Sequence, residues 1–338
     1  MPRHVERAPA ILLSLLLLAG LGPACSTPQR PVPGPLAGFR VAITVDDIPD
    51  HGRLVPGMTR EGISDAIISA LKRNGVQGAY GFTGSGIESK GPKAAAIFRR
   101  WLDASYPLGN HTYDHPHLNA VSVDAFIANI EQQDRLLAAL EGYSPLIRQR
   151  RVFRYPYLDE GDTLAKRDAV RAYLAAHGYR IAQVTAHYDD WAWIAAYARC
   201  AARRDEASMA WLKDHVVDGA SRRLRESRRI ARRLFDRDIA HVLVVHPGVF
   251  TALTLDAVLE SWRAQGVEFV SLEQALSDPV YEINPNFPDE CAACPGDHGR
   301  TFLEQIAKAR GFDTAPFRDA TYSVERLYQV CAGRPAAP

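Results

Sequence analysis

The stretch Phe39-Arg-Val-Ala-Ile-Thr-Val-Asp46-Asp47 combines a short apolar run, rich in β-branched residues, with two carboxylates at its end. Such a run is typical of a strand buried on both faces. A helical pattern follows over residues 59–74 and ends at Gly75, and residues 76–82 form the next apolar run. A strand, a helix and another strand in succession predict βα units with a parallel sheet.

The same alternation continues along the chain. The predicted helices cover residues 122–140, 162–177 and 254–265, and a longer helical region precedes residue 240. Further strands are predicted at residues 151–155, 179–185, 240–245 and 267–271. These elements indicate an α/β fold of roughly seven βα units. A barrel is favoured over an open doubly wound sheet because polar clusters follow the ends of the strands.

Both ends of the chain differ from this pattern. Basic residues precede an apolar run at residues 8–21, which is shorter than the ~20 residues of a membrane-spanning helix, so residues 1–24 are predicted to be a signal peptide. Residues 25–38 are proline-rich and predict a spacer. Lipoprotein-type processing before Cys25 would leave a lipid-anchored protein, whereas ordinary signal-peptidase cleavage of the same Ala24–Cys25 bond would leave an unanchored one. Either way, we expect export to the periplasm or cell envelope.

Four cysteines remain after Cys25, namely Cys200, Cys291, Cys294 and Cys331, which allows two disulfides in an oxidising compartment. A zinc knuckle at the closely spaced pair is disfavoured because no second Cys or His pair lies nearby. The alternation of strands and helices begins at residue 39 and stops at residue 278, so the domain is predicted to span residues 39–278. A disulfide-stapled extension is predicted to follow at residues 279–338.

Net charge argues against one class of partner. The formal value of +1 over 338 residues does not predict a nucleic-acid-binding protein. One segment, residues 222–233, is rich in arginine and predicts a solvated helix face, with attraction to an anionic envelope polymer as the alternative.

Two of the polar clusters at predicted strand ends suggest a metal site. Asp46 and Asp47 would point to opposite sides of an extended chain, so that one could bind metal and the other accept a proton. His111 and His115 are four residues apart, and on a helical turn their imidazoles would face the same way. Two imidazoles and one carboxylate make a three-ligand site that leaves a position open. His117 is predicted to have a packing or capping role.

Three further clusters have both a structural and a functional interpretation. Arg154 could bind a carboxylate or form a structural ion pair. Asp190 and Trp191 suit a sugar site, although an acidic helix start with a core tryptophan would look the same. His246, at the end of an apolar strand, could be a proton donor or a buried core residue. The five clusters together, in one order after five strands, favour an active site.

These segments resemble the five motifs of the polysaccharide deacetylase family, the NodB-homology domain of carbohydrate esterase family four. The resemblance covers residues 39–278 and rests on Thr44-Val-Asp46-Asp47, His111-Thr-Tyr-Asp-His115, Arg154-Tyr-Pro156-Tyr157, Asp190-Trp191 and Val245-His246. It implies an irregular, partly open (β/α)7 barrel. It also implies an enzyme that removes N-acetyl groups from a polysaccharide, with a divalent metal that is commonly zinc and otherwise cobalt or nickel.

The resemblance also implies roles for individual residues. Asp47, His111 and His115 match the metal ligands, Asp46 the base that activates water, and His246 the general acid. Arg154 would orient Asp46, Asp190 would tune its neighbours, Trp191 would form an apolar wall, and the backbone N–H of Tyr157 would donate to the oxyanion. Leu158 stands where the family frequently has glycine, and His187 where it often has aspartate.

Two other functions stay open from the sequence. The chain could be an amidase of the same fold that acts on a small non-sugar amide. It could also be a non-catalytic envelope lipoprotein that binds glycan through Trp191. The presence of both Asp46 and His246 argues against the second alternative, because binding alone needs neither a base nor an acid.

Overall fold

Strand β1 (Arg40–Ile48) lies at the centre of the sheet, as its apolar sequence predicts. Every residue after Arg40 in this strand is buried. The computed structural model describes residue 1 and residues 34–84, 91–288, 300–319 and 323–333. In it, β1 pairs in parallel with β2 (Tyr80–Thr83) on one side and with β6 (Ala240–Val245) on the other. Burial between two neighbours explains the nearly continuous apolar run.

The sheet is parallel throughout, in the order β5-β4-β3-β2-β1-β6, and β7 pairs with the first two residues of β1. The remaining strands are β3 (Leu108–Asn110), β4 (Val152–Phe153), β5 (Arg180–Ile181) and β7 (Glu268–Phe269). The ladder is open between β5 and β6, and the segment after β5 crosses this gap. There Ala186 bridges to Leu243, and the N–H of Thr185 donates to Val242. This geometry confirms the predicted irregular, partly open barrel.

Helices connect the strands and begin at side-chain caps. Thr59, Ser122 and Thr163 each accept a backbone N–H of the first turn that follows. The helices of the described residues, α1 to α10 in chain order, are Arg60–Arg73, Pro92–Asp103, Val123–Ala138, Leu164–Ala176, Asp190–Arg203, Glu206–Phe235, Val249–Ala264, Leu272–Leu276, Phe302–Ala309 and Val324–Gln329. Within these ranges, none of the helices has the length and apolar character needed to cross a bilayer.

Some elements differ from the sequence-based prediction. Strand β3 and helix α2 were not predicted. β3 is only three residues long, and its central Gly109 faces the carbonyl of Val152 so closely that a Cβ atom would lie 2.7 Å from that oxygen. Leu36, which falls in the predicted spacer, is fully buried and donates its N–H to Gln265.

The C-terminal extension packs on the long helices of the domain. Helix α9 contacts α6, and α10 contacts α5. A disulfide joins Cys200 of α5 to Cys331, 131 positions later, which confirms the predicted stapling. The predicted signal segment from residue 2 onward, Cys25, Cys291 and Cys294 all lie outside the described residues.

The arginine-rich segment of α6 is more than the solvated helix face that was predicted. Arg228 is mostly buried and binds both Asp238 and the carbonyl of Ala37. Arg229 donates to the carbonyl of Phe317 in the extension. These guanidinium groups therefore hold neighbouring segments against the helix, because their fixed N–H donors reach carbonyl and carboxylate oxygens together.

Candidate active site and metal centre

The polar clusters come together in one cavity of about 440 Å³ at the carboxyl ends of the strands. Eight of the nine predicted site residues line it, and Arg154 lies behind the wall in contact with Asp46. The residues that line the cavity are Asp46, Asp47, His51, His111, His115, Tyr157, Leu158, His187, Asp189, Asp190, Trp191, Ala195, Arg223, Val244, His246, Thr301 and Glu304.

The two carboxylates of β1 reach this cavity through a local irregularity of the strand. Asp47 has a positive φ of 59°, and the register with β2 shifts between Val45 and Ile48. The chain is therefore not extended here, and the prediction that Asp46 and Asp47 point to opposite sides is wrong in this detail. Both carboxylates line the same cavity, and they differ in the groups that they contact.

Asp47, His111 and His115 form a compact triangle of ligand atoms. The Oδ1 atom of Asp47 lies 3.5 Å from Nε2 of His111 and 3.1 Å from Nε2 of His115. The two Nε2 atoms are 3.2 Å apart. Zinc bonds of about 2.0–2.1 Å at tetrahedral angles place ligand atoms roughly 3.3–3.4 Å apart. The triangle thus has the size that a tetrahedral divalent ion needs.

The protonation of the triangle also suits a cation. Burial alone would raise the pKa of Asp47, but the adjacent imidazoles outweigh burial and hold that pKa well below its ordinary value. Nδ1 of His111 lies 2.8 Å from the carbonyl of Arg154 and must carry its proton, which leaves the Nε2 lone pair facing the triangle. Within the described part of the chain, Asp47 Oδ1 is buried without a well-aligned hydrogen bond. The residues present therefore fit a divalent metal.

Asp46 is held by Arg154 rather than by the imidazoles. Nη1 of Arg154 lies 2.8 Å from both oxygens of Asp46, and its other nitrogens donate to Thr44 and to the carbonyl of Ala182. Asp46 and Arg154 are 3% and 1% exposed. A buried carboxylate with a charged donor on one side has a fixed orientation and keeps its remaining lone pairs for a ligand in the cavity.

His246 lies across the cavity and is paired with Asp190. Its backbone N–H donates to one oxygen of Asp190 over 2.6 Å, and its Nδ1 donates to the other over 2.9 Å. Burial alone would lower the pKa of His246, but the charge and hydrogen bond of Asp190 outweigh it and raise that pKa to about 9. The imidazole is thus a cation at neutral pH, with its Nε2–H free of Asp190.

Aromatic rings form the remaining walls. The ring of Tyr157 meets His115 edge-on at 4.4 Å and stacks on His117 at 3.5 Å, so His117 has a packing contact as expected. Trp191 is half-buried in the cavity wall, and its ring lies 5.8 Å from that of Tyr328 in the extension.

Residues 34–182 match the family model described as polysaccharide deacetylase. Over these residues the chain is similar to polysaccharide deacetylases. Two curated peptidoglycan-N-acetylglucosamine deacetylases are similar to it. The protein from Bacillus cereus is 30% identical over 112 residues, which cover 33% of this chain and 36% of that protein. The protein from Listeria monocytogenes is 24% identical over 250 residues, which cover 74% of this chain and 41% of that protein.

The match therefore spans about two fifths or less of the length of these curated relatives. Among solved structures, the family 4 carbohydrate esterase from Streptomyces lividans in complex with acetate is 18% identical, with a TM-score of 0.46. That match covers 71% of this chain and 96% of the other.

The cavity contains one residue close to the metal triangle that the sequence analysis did not single out. Nδ1 of His51 lies 2.7 Å from Oδ2 of Asp47, and the ring of His51 lies 4.4 Å from that of His246. Burial and the charge of His246 lower the pKa of His51, so it stays neutral and donates to Asp47. No spacing rule marks His51, because it belongs to the irregular loop after β1.

Other unanticipated wall residues come from distant parts of the chain. Arg223 of α6 lies 3.2 Å from both Nε2 of His187 and Oδ2 of Asp189. His187 in turn places its Nδ1 3.0 Å from Oδ1 of Asp189. Its two ring nitrogens are thus both engaged. Thr301 and Glu304, at the start of α9, bring the extension into the cavity wall.

Proposed function

We propose that this chain is a metal-dependent hydrolase that removes N-acetyl groups from the amino sugars of a polysaccharide. One observation carries the proposal. A triangle of ligands sized for a divalent metal lies between a carboxylate held by arginine and a histidine held as a cation. Each of the three has a part in amide hydrolysis. The metal would polarise the carbonyl and the water, the carboxylate would take a proton from that water, and the histidine would give a proton to the amine.

Asp47, His111 and His115 would hold the metal. A divalent ion bound there supplies Lewis acidity, which lowers the pKa of a water and polarises the amide carbonyl. His51 would keep Asp47 in place from behind, because it donates to the oxygen that does not face the triangle. The donor set of two imidazoles and one carboxylate suits zinc, and also cobalt or nickel.

The residues on either side would then move the protons. Asp46 is fixed by Arg154 and would take a proton from the attacking water. The N–H of Tyr157, in a backbone turn with a positive φ of 56°, would donate to the developing oxyanion. His246 would give the proton on Nε2 to the leaving amine, and Asp190 would stabilise the imidazolium through Nδ1.

The names of the relatives support a proposal for the polymer, and the predicted signal segment supports one for the location. Both curated relatives are named for removal of acetyl groups from N-acetylglucosamine in peptidoglycan. We therefore infer that the substrate is peptidoglycan or a similar polymer of N-acetylglucosamine. We also infer that the protein acts outside the cytoplasm, in keeping with the predicted signal segment, with lipid attachment at Cys25 as a further element of this proposal.

Acetate release tests the proposal directly. Metal-loaded protein, chelator-treated protein and an Asp46→Asn variant would be incubated with N-acetylglucosamine oligomers and with peptidoglycan. We expect chelation to abolish release, and Asp46→Asn to reduce kcat by roughly 10² to 10⁴. Asp65→Asn is the matched control, since Asp65 is half-exposed and pairs with Arg100 outside the cavity.

Two outcomes would contradict the proposal in different ways. If no acetylated glycan releases acetate although one metal is bound per chain, the substrate is not an acetylated sugar, and small amides become the next compounds to assay. If Asp46→Asn retains wild-type kcat, the carboxylate held by Arg154 is not the base.

A further inference from the structure

A second concavity adjoins the catalytic cavity, and we call it the arginine groove. It has a volume of about 1270 Å³ and lies between residues 51–56 and the C-terminal half of α5. His51, Trp191 and Ala195 line both concavities. An extended ligand whose reacting group lies in the catalytic cavity can therefore continue into the groove.

Arg53, Arg199, Arg203 and Arg204 line the groove. Arg199 is already engaged, because its guanidinium donates to three carbonyls at the end of α10. The other three side chains belong to exposed residues. Among the described residues, no hydrogen bond or ion pair engages the guanidinium groups of these three.

Very little negative charge compensates these arginines. The one carboxylate in the described lining of the groove is Asp205. Its oxygens accept from the backbone N–H of Ser208 over 2.9 Å and from the hydroxyl over 2.8 Å, which caps the start of α6. These hydrogen bonds lower the pKa of Asp205, the charge of Arg203 lowers it further, and both oxygens already accept from Ser208. The groove thus presents an excess of positive charge to solvent.

This lack of partners is not the rule for exposed arginines in this protein. Several others form carboxylate pairs, namely Arg73 with Asp256, Arg100 with Asp65, Arg232 with Asp238 and Arg237 with Asp278. The lining of the catalytic cavity next to the groove is richer in carboxylates, since four aspartates and Glu304 line it beside a single arginine, Arg223. A ligand that is neutral at the reacting sugar and anionic beyond it would match both.

We propose that the arginine groove is a substrate subsite for a carboxylate on the sugar next to the N-acetylated one. The guanidinium group presents paired N–H donors that match a carboxylate, and its long side chain reaches along a flexible polymer. The proposal deepens the proposed function and rests on it. It makes the enzyme selective for an acidic glycan over a neutral polymer of N-acetylglucosamine.

The test compares two glycans of equal length. One is a neutral N-acetylglucosamine oligomer, and the other carries a carboxylate-bearing ether on alternate sugars. The assay is done on wild type, on the triple variant Arg53→Gln, Arg203→Gln, Arg204→Gln, and on a control triple variant Arg73→Gln, Arg100→Gln, Arg135→Gln. The control removes the same charge from arginines whose side chains are 58%, 45% and 70% exposed outside both concavities.

The measured quantity is the ratio of kcat/KM for the acidic glycan to kcat/KM for the neutral one. We expect the groove variant to lower this ratio about three- to tenfold, the control to leave it unchanged, and 0.5 M salt to lower it in wild type. Esterified glycan should behave like the neutral oligomer. Glycan chains with and without attached peptides are also compared, because this comparison distinguishes recognition of a carboxylate on the sugar from recognition of a carboxylate on a peptide.

An unchanged ratio in the groove variant would overturn the proposal, and so would an equal fall in the control. A binding arm separates this failure from failure of the proposed function. Calorimetry with chelator-treated protein measures affinity for the acidic and esterified glycans without any turnover. Tighter binding of the acidic glycan, lost in the groove variant, supports the subsite even if no acetate is released. Equal binding of both glycans refutes it. Binding to anionic phospholipid vesicles is measured in parallel, and a groove variant that loses only vesicle binding also refutes the subsite.

Discussion

Replacing Asp190 with asparagine should lower the pKa of His246 by more than two units. Asparagine keeps the size of the side chain but removes the charge that lies 2.9 Å from Nδ1. The raised pKa of about 9, compared with an ordinary value near 6.5, corresponds to roughly 3 kcal/mol in favour of the imidazolium. Burial, which lowers this pKa, stays in the variant, and so do the weaker raising effects of the Asp47 and Asp46 charges, so we expect His246 to titrate below about 7.

The measurement is a titration of the histidine side chains by nuclear magnetic resonance in metal-free protein, with Asp256→Asn as the control. The stabilising effect has a defined pH window. Because the folded pKa is raised, the contribution to stability is fully present below about pH 6.5 and is lost as the pH rises to about 9. The two proteins should therefore differ most in unfolding free energy below pH 6.5. A pKa that stays above 8 in Asp190→Asn would refute the assignment of the shift to this carboxylate.

Three further perturbations follow from single contacts. Burial lowers the pKa of His241 to about 3, so the wild-type protein should lose about 1.4 kcal/mol of unfolding free energy per pH unit as the pH falls below 6.5. A denaturation series over pH in which His241→Phe loses as much unfolding free energy as wild type would contradict this. Cys200→Ser opens a disulfide across 131 positions and should cost about 2–5 kcal/mol in urea unfolding, whereas an unchanged midpoint would show that packing alone holds the extension. His51→Phe removes the donor to Asp47, and competition with a chelator should show metal affinity falling roughly 10- to 100-fold, with His177→Phe unchanged.

The strands of the barrel could be predicted wherever burial leaves a continuous apolar run. Residues 40–45 and 240–245 lie in β1 and β6, which pair with each other along this length, and nearly all of these residues are buried. β3 escaped prediction because Gly109 interrupts a segment of three residues, and close approach to the next strand, which no local pattern encodes, requires that glycine. Burial thus explains the strands that were predicted, and close packing between neighbouring strands explains the one that was missed.

The site shows a similar division. Motif spacing suggested eight residues that line the cavity, together with Arg154 behind it. It could not suggest Arg223 or Glu304, because each reaches the cavity only after a long helix or the extension packs against the barrel. His51 was missed for a different reason. It follows Asp47 by four residues in a loop, and only the fold shows that it turns back to that carboxylate.

Backbone conformation at the site shows why these positions resist local prediction. Asp47, His115, Tyr157, Leu158 and Asp189 all have positive φ angles between 55° and 59°. Residues with side chains rarely adopt this region, and each instance costs on the order of 1 kcal/mol or more. The five residues lie in or after four different strands but line one cavity, so the cost is concentrated where the chain must turn side chains inward. A buried parallel sheet supplies the rigidity that such strain requires. Leu158 makes the point most clearly, since a branched side chain that prefers negative φ is held there although glycine would adopt this conformation without strain.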